Sequence, residues 1–160
     1  MSNSLFIGDC HFGHKNQIKW RPFQSEEEVT SLILTNMRKV VTKRDTLYIL
    51  GDCILHPDSL NVLEDIPGQK VLILGNHCTE KVKTSDLVSV FDDIHGMMKY
   101  KEFWLTHAPI HPEELRGKIN IHGHVHTNTL KDTRYVNVSC EAVNYTPISL
   151  HTIRERLKCL

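Results

Sequence analysis

Six short apolar runs, at residues 5–7, 47–50, 71–74, 103–105, 119–121 and 135–138, set the limits on what this chain can fold into. Each is too short for a helix and is bounded by turn-forming residues, so each reads as a strand buried on both faces. Between the first two lies "SEEEVTSLILTNMRKVV", in which Val29, Leu32, Ile33, Met37, Val40 and Val41 fall at helical spacing behind the capping pair Ser25 and Glu28. Weaker periodicity predicts helices over 58–65, 80–91 and 149–160, the last with Leu150, Ile153 and Leu157 on one face. Strand and helix alternate in the first half, and strands dominate the second. The expectation is one α/β layered domain over residues 1–160, with mixed rather than wholly parallel sheets.

The residues that follow these runs carry the chemical information. Residues 5–7 lead into Gly8-Asp9-Cys10-His11, 47–50 into Gly51-Asp52, and 71–74 into Gly75-Asn76-His77. Residues 103–105 lead into Thr106-His107, and 119–121 into His122-Gly123-His124-Val125-His126. Five strands thus deliver oxygen or imidazole donors at their carboxyl ends, the edge at which α/β sheets build their sites. Capping and turn duty is the ordinary role of Asp and Asn there, but it does not account for five in order along one chain.

Asp9, His11, Asp52, Asn76, His107, His124 and His126 are too many ligands for one ion and suit two ions sharing a carboxylate. On extended backbone, Asp9 and His11 would point the same way, as would His124 and His126. The donors are oxygen and nitrogen without thiolate spacing, which fits manganese, iron, nickel, zinc or magnesium better than a structural zinc. The five cysteines are odd in number and lack CxxC spacing, so neither a disulfide framework nor a zinc ribbon is expected.

The order "GDCH … GD … GNH … H … GHVH", with "HFGHKN", "RPF", "YILGD" and "NYTPISL" around it, resembles the calcineurin-like metallophosphoesterases, in particular their small bacterial and phage-type members. The resemblance runs from Leu5 to about Leu150. It implies an αββα sandwich of two mixed sheets flanked by helices. It also implies two divalent ions, manganese favoured: Asp9, His11 and His126 would hold the first with a bridging Asp52, and Asn76, His107 and His124 the second. Such a pair, about 3.5–4 Å apart, would clamp a phosphoryl group and supply a bridging hydroxide as nucleophile. His77 would protonate the leaving oxygen. The family pattern has an acidic residue after this histidine, where the chain has Cys78.

Lys+Arg and Asp+Glu balance at 19 each, so an anionic substrate must be captured locally. Neither a signal peptide nor a membrane span is read from the sequence, and a cytosolic protein with no membrane or obligate protein partner is expected. So short a chain leaves little room for a cap domain, and the open site expected from this favours phosphodiesters of nucleotide or nucleic-acid origin over phosphomonoesters. His14 and Arg21 are candidates either for phosphate contact or for tying their loop to the first helix. His122 reads as a packing or supporting residue, His56, His95, His111 and His151 as surface histidines, and Cys10 as an inward-facing thiol. The alternative function is a scaffold that keeps the fold without turnover. Nucleic-acid binding without chemistry has only the local strip Lys15, Lys19 and Arg21 in its favour.

Overall fold

A computed structural model of the chain describes residues 1–159. Nine strands among the described residues form two mixed sheets. The first takes β1 (Ser4–Ile7), β2 (Thr46–Leu50), β3 (Gln69–Ile73), β4 (Asp93–His95) and β9 (Ile148–Ser149), in the order β4-β3-β2-β1-β9. All are parallel except β9, which runs antiparallel to β1. The second takes β5 (Met98–Tyr100), β6 (Phe103–Thr106), β7 (Ile119–His122) and β8 (Tyr135–Asn137), in chain order, with β6, β7 and β8 parallel. Three helices, α1 (Glu26–Val40), α2 (Thr84–Val90) and α3 (Leu150–Lys158), complete an α/β sandwich of two sheets.

The rings of Phe6 and Tyr48 stack at 5.2 Å, and Tyr100 of the second sheet meets them at 5.9 and 5.1 Å. These three rings and the hydrogen bond between Ser4 Oγ and Tyr100 Oη (2.6 Å) lock one sheet onto the other. The expected cap of α1 forms: Ser25 Oγ accepts from the Glu28 N–H, while Glu28 reaches back to the Gln24 N–H. Val29, Ile33 and Met37 are its buried stripe.

Two expected helices change. Over 58–65 the chain makes a 3-10 turn, Pro57–Ser59, and a run of turns whose bonds link residues three apart, from Leu60 N–H to Pro57 O through Ile66 N–H to Leu63 O. Leu63 and Ile66, three apart, are the side chains that this tighter winding buries. The helix expected over 80–91 starts only at Thr84. The C-terminal helix is capped by Ser149, and its expected end at residue 160 lies outside the described residues. No helix of the described residues is long and apolar enough to cross a membrane.

Candidate metal centre

Because β1, β2 and β3 are parallel, as are β6, β7 and β8, the carboxyl ends of each set gather along one edge. The two edges meet at Gly8, whose N–H donates to Val138 O (2.8 Å) and whose carbonyl accepts from Cys140 N–H (2.9 Å). This junction is where the ligand-type residues collect.

Asp9, His11, Asp52, His124 and His126 all have left-handed backbone, with φ of 57°, 55°, 46°, 71° and 50°. Extended backbone is the expectation at Asp9, His11, His124 and His126, and this corrects it at all four. The side chains converge because the chain coils sharply on leaving each strand, a conformation that costs a non-glycine residue about 1–3 kcal/mol and collects at functional sites. Two glycines make the convergence sterically open. A Cβ on Gly75 would collide with Asp52 Oδ1, and one on Gly123 would lie 2.5 Å from Asp9 Oδ2.

Asp9, His11 and His126 form one group whose ligand atoms lie within 4.8 Å of one another. Asp9 is fully buried, and its Oδ2 accepts from the His124 N–H at 2.8 Å. Its Oδ1 faces His11 Nε2 and His126 Nε2, each at 4.0 Å. Asp9 Oδ1 and His11 Nε2 are buried and have no hydrogen-bond partner among the described residues, the arrangement that a cation between them would satisfy. Burial, followed by the charges of Arg21 and His126, pushes His11 down to about 3, so the ring is neutral, which is the ligand form. The Nδ1 of His126 lies 3.0 Å from Glu141 Oε1, and this hydrogen bond raises His126. Burial opposes ionisation of Glu141, yet His126 and Arg21 draw it down to about 2.

Asp52, His107 and His124 form the second group, and Asn76 joins it. The Nδ1 of His107 lies 2.8 Å from Leu50 O, and since a carbonyl only accepts, Nδ1 carries hydrogen. The Nε2 of His107 then meets Asn76 Oδ1 at 3.0 Å, His124 Nδ1 at 3.1 Å and Asp52 Oδ2 at 3.2 Å. Ligand atoms around one ion, each about 2 Å from it, stand about 3 Å apart, so the donor set fits a divalent ion. Burial disfavours a charged His107, but the hydrogen bond to Asp52 and the charge of Asp9 outweigh it and hold the ring above the usual imidazole range. Burial would likewise raise Asp52, but His107 and the His77 N–H (2.9 Å from Oδ1) keep it below the usual carboxylate range.

The structure places His77 beside both groups, its N–H on Asp52 and its ring 6.4 Å from that of His11. Its Nδ1 lies 2.8 Å from Glu80 Oε1. Cys78, in the position that the family pattern makes acidic, is buried and accepts a hydrogen bond from the Gly75 N–H at 3.2 Å. His14 Nδ1 lies 3.1 Å from His11 Nδ1. Arg21 ties its loop to the segment that follows β1 and to Glu141, not to α1. Its guanidinium is buried and donates to Glu141 (2.8 Å), Gln17 (2.6 Å) and the carbonyls of Asp9 (2.5 Å) and Cys10 (3.3 Å). His122 is buried, with Nδ1 on Gly123 O (2.8 Å) and its ring against Tyr135, and Cys10 points inward as expected. Sequence reasoning passed over Glu80 and Glu141. Glu141 follows the sixth apolar run as the ligand-type residues follow the first five, and that was the signal for it.

One cleft opens on the second group and another lies beside His77 and His14. The former, of about 440 Å³, is lined by Asn76, His107 and His124 together with the apolar Leu74, Met97 and Ile110. The latter, of about 140 Å³, runs between His14, His77 and Lys81.

No family model matches the chain. It is 34% identical to the uncharacterized protein MJ1445 of Methanocaldococcus jannaschii, over 96% of this chain and 90% of that protein. It is 32% identical to the Gene 66 protein of Mycobacterium phage L5, over 79% of each. Among solved structures it is similar to the protein of unknown function AQ665 from Aquifex aeolicus, with TM-score 0.81 and 30% identity over 98% of this chain and 100% of that one.

Proposed function

The chain belongs to the family of the Methanocaldococcus jannaschii protein MJ1445, and we propose that it is a metal-dependent phosphoesterase of the calcineurin-like type, acting on phosphodiesters more readily than on phosphomonoesters. The observation that carries this reading is the pairing of two ligand groups at the junction of the sheets, each with donor atoms that have no partner or only one another. Asp9, His11 and His126 would hold one divalent ion and Asn76, His107 and His124 the other, with Asp52 shared between them. Manganese suits the oxygen and imidazole donors. Two ions bound there would neutralise the charge of a phosphoryl group and bring a water molecule to a reactive pKa.

The chain's own residues supply the rest. Glu141 and Leu50 O fix which nitrogen of His126 and His107 faces the site, as carboxylates and carbonyls do for metal-binding imidazoles. Glu80 engages Nδ1 of His77, which leaves Nε2 to pass a proton to the leaving oxygen. The cleft lined by Asn76, His107 and His124 and the one between His14 and His77 give room for substituents on phosphorus, which supports the preference for diesters.

The test is hydrolysis of bis-p-nitrophenyl phosphate and p-nitrophenyl phosphate by metal-stripped protein resupplied with manganese, nickel, magnesium or zinc. The expected result is metal-dependent turnover, faster on the diester. No turnover with any of the ions between mildly acidic and alkaline pH would overturn the reading.

A further inference from the structure

Trp20 is 47% exposed, yet it stands against the first ligand group. Its ring lies 5.4 Å from that of His14, 5.9 Å from that of His11 and 6.2 Å from that of His126, nearly perpendicular to the last two. An indole serving only to shield these imidazoles would be better buried; here about half of it is left open to solvent beside the site.

The backbone that carries the indole is also held in place from both sides. Gln17, at the centre of the 3-10 turn Lys15–Lys19, is buried and donates from Nε2 to His11 O at 3.0 Å. Arg21 is buried on the carbonyls of Asp9 and Cys10. The backbone N–H of Trp20 donates to Gln17 O at 3.2 Å. A fixed aromatic face loses little conformational entropy when a flat ligand settles on it. Lys15 and Lys19, at the two ends of the same turn, are exposed and give this otherwise neutral protein a local positive charge. An aromatic face interleaved with lysines is the chemistry that receives a base and its phosphates.

We infer that Trp20 is the base-stacking residue of the site, so that its substrates are phosphoesters of nucleosides rather than of sugars or simple alcohols. The inference rests on the reading of the two ligand groups as a phosphoryl site. Stacking makes the affinity for a nucleotide about tenfold higher than for the same phosphate without its base.

The test is calorimetric titration of the zinc-loaded protein with adenosine 5′-monophosphate and with ribose 5-phosphate, alongside tryptophan fluorescence. The mononucleotide is expected to bind about tenfold tighter and to quench emission. Trp20→Ala should remove both effects, and Trp20→Phe should keep the affinity difference. Equal affinities in the unmodified protein, or a preference that survives Trp20→Ala, would overturn the inference. Because binding is measured rather than turnover, a base preference lost with Trp20 in a protein that hydrolyses nothing would sink the phosphoesterase reading alone. Turnover without base preference would sink only this inference.

Discussion

Glu80 Oε1 lies 2.8 Å from His77 Nδ1, so a carboxylate three residues on engages this histidine while its neighbour is a buried thiol. Glu80→Gln keeps the size of the side chain and removes the charge. It is expected to lower kcat on bis-p-nitrophenyl phosphate about tenfold with little change in KM, since proton transfer by a positioned side chain contributes about 10²–10⁴-fold. Cys78→Asp should bring no gain. It would add a second buried carboxylate within reach of Asp52 Oδ1, which lies 4.0 Å from Cys78 Sγ, and should lower the melting temperature of the protein.

Asp52→Asn tests the sharing of one carboxylate by both ligand groups. The variant keeps a carbonyl oxygen for the His77 N–H but loses the negative charge beside His107. Turnover should fall to background, and metal analysis should show fewer than two ions per chain. Wild-type rate and metal content would disprove the shared role.

Glu141→Gln should weaken the first ion far more than the second. It leaves Arg21 and His126 without their common anionic partner, and His126 belongs to the first group. Loss of the carboxylate behind a metal-binding imidazole typically costs about 10–100-fold in metal affinity. Titration with zinc should therefore show two unequal sites in the variant, with the second retaining its affinity.

Asp45 offers a pH test away from the site. Its carboxylate accepts from Asn3 N–H (2.7 Å), Thr42 N–H (2.8 Å) and Thr42 Oγ1 (2.8 Å), and the Asn3 bond leads the causes that lower its pKa. A folded pKa below the unfolded value of about 3.9 means that the charged form stabilises the fold above that pH. The contribution is lost as pH falls through the lower, folded value. Asp45→Asn should cost about 2–3 kcal/mol in urea unfolding at pH 7 with chelator present. The gap between the two proteins should close at a pH below about 4.

The strands that position the site could be read from the sequence because each is an unbroken apolar run, and α1 because its stripe and cap agree. β4, β5 and β9 could not: Asp93–His95, Met98–Tyr100 and Ile148–Ser149 are two or three residues long, and their pairing depends on neighbours distant in the chain. All seven ligand-type residues could be listed from strand ends, but the left-handed backbone of five of them could not, since Asp and His occupy turns of many kinds. Glu80 escaped because it was read as the first residue of the helix expected over 80–91; the turn from His77 O to the Glu80 N–H instead brings it against the histidine. The partners of Arg21 could not be read either, since the carbonyls of Asp9 and Cys10 are brought to it only by the fold.

The left-handed ligands also set function against durability. At Asp9, His11, Asp52, His124 and His126 the backbone would be more comfortable with glycine, since the conformation costs a side-chain-bearing residue about 1–2 kcal/mol. The entropy that glycine loses on folding, about 0.5–1 kcal/mol, returns only part of that. His124, exposed at φ 71°, is the position where the exchange is simplest. A laboratory selection for heat resistance in chelator should therefore drift towards glycine there, producing a hardier protein that has discarded a donor atom. Only selection in the presence of metal would hold the histidine in place.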